Sequence, residues 1–324
     1  MSSSERGRDV RVLIMDAFAG TYAHALQPRF PEAQFMLAKD VAEAMPLSAH
    51  ANVLMAFAPR LTAELLGASP DLEWLQALTT GVDNLWTMAS LNPRMLITTV
   101  RGIHGPQMSE MAFLYMLALS RDWRGMQANQ AEAVWDRRPQ RLLWRRTLAI
   151  VGMGVIADGL AARARAFEMR VVGVTETPRD VQGFDQIFAR ADLKAAVADA
   201  DHVVVLTPHS PQTHNLIDAD VLAAMRPDAF LINLARGGVV DEAALLEALD
   251  GGQIAGAGLD VFAVEPLPAQ SPLWRHPRVL LTPHVGGMSD VYEEQVMPIL
   301  IHNLDAFLSG RLQDLQNMAT RPHA

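Results

Sequence analysis

One stretch near the middle of the chain, Leu148 to Ala166 (LAIVGMGVIADGLAARARA), constrains the fold most. Leu148-Ala149-Ile150-Val151 is a short apolar run suited to a buried parallel strand. Gly152-Met153-Gly154-Val155-Ile156-Ala157 follows at once, and an Ala/Leu/Arg-rich helical pattern follows that. This is a G-x-G-x-x-A turn between strand and helix, the context in which such a motif holds a dinucleotide. Gly152 permits the tight turn. Gly154 has no side chain to keep a pyrophosphate off the backbone, and Ala157 is small enough for the helix to pack on its sheet. The helix N-terminus then offers free N–H groups and a partial positive charge to phosphates.

The rest of the chain keeps the same rhythm. Val10–Met15, Gln34–Leu37, Asn52–Ala56, Leu72–Leu78 and Met95–Val100 read as strands, with short helices over Tyr22–Phe30 and Leu61–Gly67. A glycine/proline junction at Arg101–Pro106 precedes one long helical pattern, residues 107–128, and 129–146 reads as a polar, basic loop. Beyond the glycine motif, strands are expected at Arg170–Val174, Ile187–Phe188, His202–Leu206, Phe230–Leu234, Ile254–Leu259 and Val279–Leu281. Helices are expected at Leu193–Asp199, Asp218–Met225, Glu242–Leu249 and Tyr292–Leu308, with a frayed tail over Arg311–Ala324. Strands alternating with helices at this spacing imply an α/β fold with parallel sheets.

At 324 residues the chain is long enough for two cores. Its formal charge of −9, without any Lys/Arg run, argues against a nucleic-acid partner. It has no cysteine, which excludes disulfides and thiolate chemistry and fits a reducing compartment. The start, MSSSERGRDVR, lacks the apolar segment of a secretory leader, and the longest apolar run, Met111–Leu119, is too short to span a bilayer. The expectation is a cytoplasmic protein with no membrane partner. No metal-ligand spacing occurs, so no metal site is expected.

About twenty residues past the glycines, a dinucleotide fold places an acid on the ribose hydroxyls. Here the strand ends VVGVTETPR: Thr175 stands at the expected position and Glu176 follows. Glu176 can accept from the hydroxyls and would repel a 2′-phosphate, whereas Arg179 could pair with one. The balance favours NAD, with NADP possible.

Three later segments carry polar groups just after apolar runs, where an α/β sheet presents its ligand crevice. FLINLARGG brings Arg236, GAGLDVFAVEPLP brings Glu265, and VLLTPHVGG brings His284. Singly, each reads as a surface ion pair, a turn or a loop histidine. Together they supply an anion clamp, a charge partner and an acid/base.

LINLARGGVVDE, GAGLDVFAVEPLP and LLTPHVGG resemble the three signature segments of the D-isomer-specific 2-hydroxyacid dehydrogenase family, whose best-fitting branch here is glyoxylate/hydroxypyruvate reductase-like. VGMGVIADGLA resembles that family's cofactor fingerprint and TTGVDNL its substrate loop, and the similarity runs from about residue 75 to 310. The resemblance implies two Rossmann-like or flavodoxin-like domains. Residues 1–101 with 289–324 would bind substrate, and an inserted 102–288 would bind NAD(P), the helical stretches 107–128 and 292–308 making the crossings. It implies a catalytic triad of Arg236, Glu265 and His284. Thr80, Gly81 and Val82 would hold the substrate carboxylate, with Arg236 and His284 also contacting substrate. Gly152, Gly154, Val155 and Ile156 would form the pyrophosphate turn. Thr207, Pro208, Leu234 and Ala235 would lie along the cofactor, and Asp260 would meet the nicotinamide carboxamide. Two positions depart from the family pattern: Thr175 replaces the common ribose Asp, and Arg145 stands where a glycine usually precedes the central strand.

On this reading, hydride moves between nicotinamide and C2 of a small 2-oxo or 2-hydroxy carboxylate, D-specifically, and His284 exchanges the proton. A homodimer through 107–128 and the loop after it is expected. The competing expectation is a cofactor-sensing, corepressor-like binding protein on the same fold.

Overall fold

The structure, a computed structural model, describes residues 9–321. The leaderless reading of the first residues therefore lies largely outside the described residues, as do positions 322–324 of the tail. The chain divides into two compact units: one runs to Ile103 and resumes at Asp290, and the other is His104–Ser289.

The first unit is a parallel sheet with helices on its faces. Its elements are β1 (Arg11–Met15), α1 (Ala19–Leu26), β2 (Gln34–Ala38), α2 (Val41–Ser48), β3 (Val53–Ala56), α3 (Ala63–Gly67), β4 (Trp74–Ala77) and β5 (Leu96–Thr98). The strand order is β2-β1-β3-β4-β5, every pairing parallel. β3 and β4 are buried on both faces, which is why they read as unbroken apolar runs. α2 was not expected, because Pro46 lies inside it; the helix forms under an N-cap, Asp40 accepting the Glu43 N–H.

The second unit holds α4 (Gly105–Ser120), α5 (Trp123–Ala131), β6 (Thr147–Val151), α6 (Val155–Ala166), β7 (Arg170–Thr175), β8 (Gln186–Ala189), α7 (Leu193–Ala198), β9 (His202–Val205), α8 (Ala219–Ala224), β10 (Phe230–Asn233), α9 (Glu242–Asp250), β11 (Gly256–Leu259) and β12 (Val279–Leu281). Its seven strands are all parallel, in the order β12-β11-β10-β9-β6-β7-β8. The α/β class with parallel sheets is thus confirmed. The single helix expected over 107–128 is corrected to two. Asp122 adopts a left-handed conformation (φ 46°) and its carboxylate accepts the Gly125 N–H at 3.2 Å, so it starts a new helix rather than continuing the old one.

The chain then returns to the first unit as α10 (Tyr292–Leu308). Val296, Leu300, Leu304 and Phe307 join the core that holds Val12, Ile14 and Trp74. The frayed tail is also corrected. Met318 forms an antiparallel bridge with Thr98, Thr99 donates to the Asn317 carbonyl, and Leu315 is buried. The tail covers an edge that β5 would otherwise leave open. A buried polar chain ties it down: Asn303 donates to Gln76 Oε1 at 2.8 Å and accepts the Gln316 N–H at 2.8 Å. Among the described residues no helix is long and apolar enough to cross a membrane.

Candidate active site

In the second unit the strand order reverses between β6 and β9, and a ligand crevice is expected at the carboxyl ends of those strands. Gly152 follows β6 at φ +104°, and a Cβ there would sit 2.5 Å from the Thr207 nitrogen. Only glycine meets both demands, the left-handed backbone and the close approach of the loop after β9. Gly154 is the N-cap of α6, and a Cβ on it would meet no protein atom, so the space above the helix N-terminus is open. Ala157 is fully buried and Val155 is exposed; neither Val155 nor Ile156 lines the cavity beside this turn. A cavity of about 240 Å³ is bounded by Gly152, Gly154, Thr175, Glu176, Thr207 and Pro208. A turn whose two glycines carry no side chain, backed by a helix N-terminus, fits a pyrophosphate.

The three chemical residues leave neighbouring strands. Leu234, Ala235 and Arg236 follow β10. Asn233 shapes that turn, accepting the Ala235 N–H at 3.1 Å and donating to the Arg236 carbonyl at 3.0 Å. Arg236 is half-buried and donates to the Ala235 carbonyl at 2.7 Å. A Cβ on Gly237 would lie 1.8 Å from the Phe262 carbonyl carbon, so glycine is what lets this turn press against the loop after β11.

That loop carries Glu265. One carboxylate oxygen accepts the Phe262 N–H at 3.0 Å, and the other is 2.7 Å from His284 Nδ1. Burial works to raise the Glu265 pKa, but the hydrogen bonds from His284 and Phe262 and the charges of His284 and Arg236 outweigh it and hold the carboxyl below its ordinary range. It is therefore an anion at neutral pH. His284 follows β12 with φ 54°, a left-handed conformation uncommon outside glycine. Its N–H donates to the Asp260 carbonyl at 2.8 Å. With Nδ1 on Glu265, Nε2 has no partner among the described residues.

Asp260 sits under this turn, 1 % exposed. Its carboxylate accepts the Thr282 hydroxyl at 2.5 Å and the N–H groups of Val285 and Gly286 at 3.0 and 2.8 Å. Tyr115 of α4 donates to the Leu259 carbonyl at 2.9 Å and lies 2.6 Å from the Thr282 hydroxyl. The sequence reading assigned Asp260 to a ligand and missed this brace. Its signal, an acid followed by Thr and two glycines beyond the next strand, has no fixed spacing.

Thr80, Gly81 and Val82 belong to the first unit, in the loop after β4. Thr79 donates its hydroxyl to the Gly81 carbonyl at 2.8 Å, and Val82 is buried. Arg145 has φ 58°, which explains why a glycine would suit its place; its guanidinium stacks 4.2 Å above the Trp144 ring.

Residues 113–286 match the family described as D-isomer specific 2-hydroxyacid dehydrogenase, NAD binding domain. This chain belongs to that family. A curated relative, glyoxylate/hydroxypyruvate reductase A of Yersinia enterocolitica, is 30 % identical over 254 residues, which is 76 % of this chain and 80 % of the relative. A D-isomer specific 2-hydroxyacid dehydrogenase family protein from Aeromonas salmonicida superposes with a TM-score of 0.90 at 34 % identity, covering 97 % of this chain and 99 % of that one. The NADPH-dependent glyoxylate/hydroxypyruvate reductase of Sinorhizobium meliloti, solved with NADP and sulfate, superposes with a TM-score of 0.83 at 28 % identity, covering 97 % and 99 %.

As a member of the 2-hydroxyacid dehydrogenase family, the chain is an NAD(P)-dependent oxidoreductase, and the residues matched as NAD-binding domain, 113–286, fall within the second unit. The cavity beside the glycine turn of this dehydrogenase contains one charged residue that the sequence reading did not name. Arg190, after β8, lines it and pairs with Glu176. Arg179, weighed for the 2′-phosphate, is exposed on the loop beyond β7.

Proposed function

We propose that the chain reduces small 2-oxo carboxylates, with glyoxylate and hydroxypyruvate as first candidates, and D-stereochemistry where the product is chiral. The observation that carries this is the 2.7 Å contact between His284 Nδ1 and Glu265, beside Arg236 on the next strand end. A nicotinamide cofactor, when bound, supplies hydride from its C4 atom. Negative charge then develops on the substrate's C2 oxygen. His284 donates a proton from Nε2 to that oxygen, while Glu265 fixes the ring through Nδ1 and stabilises the charged imidazole. Arg236 clamps carboxylate and carbonyl oxygens with a planar fork that lysine lacks. Gly152, Gly154, Val155 and Ile156 take the pyrophosphate; Thr207, Pro208, Leu234 and Ala235 line the rest of the cofactor. Asp260 serves the carboxamide through the turn it holds. The amides of Thr80, Gly81 and Val82 serve the substrate carboxylate.

A homodimer through α4, α5 and the loop after them is part of the proposal. What supports it is that Leu114, Trp123, Val134, Trp135 and Trp144 are all exposed there, three of them tryptophans. The proposed place of work is the cytoplasm, where nicotinamide cofactors and small oxo acids meet.

The test is oxidation of NADH and NADPH with a panel of 2-oxo acids, run on wild type and Arg236→Ala. The expected result is turnover of short 2-oxo carboxylates, with kcat/KM lower by about a hundredfold or more in the variant. Nucleotide binding without turnover of any 2-oxo acid would contradict the proposal and favour a cofactor-sensing role.

A further inference from the structure

The rim of the cofactor cavity carries a charge pair that the glycine motif does not account for. β7 and β8 are parallel neighbours with Thr175 opposite Ala189. The next residue on each strand, Glu176 and Arg190, therefore emerges side by side at the carboxyl edge, and the two form an ion pair. Both line the same cavity as Gly152 and Gly154. Their side chains are 66 % and 28 % exposed, so the guanidinium is the more sheltered member and the carboxylate the outer one.

We propose that Arg190 reads the 2′ position of the adenosine ribose and binds a 2′-phosphate there, so that this chain takes NADPH through Arg190 and not through Arg179. The inference rests on the dinucleotide reading of the cavity. A lone carboxylate after β7 would repel a phosphate. Paired with Arg190 it adds no net charge to the rim, and the repulsion that favoured NAD is largely cancelled. An ion pair this exposed is weakly held, so exchanging carboxylate for phosphate costs little. The guanidinium's planar fork matches two phosphate oxygens, and a phosphate carries more charge than the carboxylate it displaces. With an unphosphorylated ribose the pair stays closed. The carboxylate has acceptor sites to spare for the hydroxyls while Arg190 holds it in place. Arg179 does not line the cavity.

The test measures binding by calorimetry of two probes, adenosine 2′,5′-bisphosphate and 5′-AMP, so it needs no turnover. For wild type the bisphosphate should bind at least tenfold tighter. Arg190→Gln should lower that affinity ratio at least tenfold, Arg190→Lys should restore part of it, and Arg179→Gln should change it less than threefold. Glu176→Gln, which releases the guanidinium, should raise it. A ratio unchanged in Arg190→Gln, or abolished in Arg179→Gln, overturns the assignment to Arg190. If wild type binds neither probe, the dinucleotide reading itself fails, and the inference with it. Bisphosphate selectivity in a protein that turns over no 2-oxo acid would uphold Arg190 and refute only the substrate proposal.

Discussion

The chemistry proposed for this chain rests on side chains that are each ordinary until the strand ends bring them together. Glu265 is held ionised by His284, the Phe262 N–H and the charge of Arg236 against the cost of its own burial. Its carboxylate therefore stays ionised at neutral pH, and the role proposed for it is to orient and stabilise the ring. Glu265→Gln keeps the shape and removes the charge. The expected result is a kcat lower by about ten- to a hundredfold with KM for the nucleotide within threefold, read by steady-state kinetics. Equal kcat in both proteins would remove Glu265 from the mechanism. These residue types could be found in the sequence because each comes after an apolar run and stands next to a glycine or proline. Arg190 could not be found that way. Its importance comes from the register of β8 against β7, and a four-residue edge strand leaves little periodicity to set that register.

At the level of elements, the sequence revealed those whose apolar residues face a core and hid those fixed by caps or by partners far along the chain. β6, β9 and β10 are buried runs and were read within about a residue. The break between α4 and α5 turns on one capping carboxylate, Asp122, in an otherwise continuous helical pattern. The docked tail depends on Asn303 in α10, which links it to Gln76 far earlier in the chain. Asn303 is fully buried and serves both Gln76 and Gln316. Asn303→Ala leaves the Gln316 N–H unpaired and loosens the tail. The expected loss is about 2–3 kcal/mol, measured by urea unfolding. A change below about 0.5 kcal/mol would mean the tail is held by Leu315 and the edge bridge alone. Asp260 plays a similar part beneath His284. Asp260→Asn replaces an acceptor of three hydrogen bonds with a side chain holding one oxygen. Thermal melting should show destabilisation, and turnover should fall with it because the histidine turn is no longer fixed.

Over the whole molecule, stability should depend on acid in a predictable direction. His202 lies between Ser120 and Phe230 in the core of the second unit, and burial pushes its pKa down to about 4. His104 is lowered to about 4 for the same reason. Unfolded, both would titrate near about 6.5. Between those values the unfolded chain binds more protons, so stability is highest above pH 6.5 and falls as the pH drops towards 4. Melting temperature should fall from pH 7 to pH 5, and His202→Gln should make that fall shallower; an identical slope would contradict the linkage. The proposed dimer is checked by sedimentation equilibrium, which should give twice the 35.4 kDa chain mass. The measurement that bears most directly on the central claim is the rate of NAD(P)H-dependent glyoxylate reduction in wild type and His284→Asn, with nucleotide binding followed in parallel. If His284 is the proton donor, the variant should bind nucleotide within threefold of wild type yet turn over about a hundredfold more slowly or worse. A variant that keeps more than a tenth of wild-type turnover while binding nucleotide normally would contradict the account.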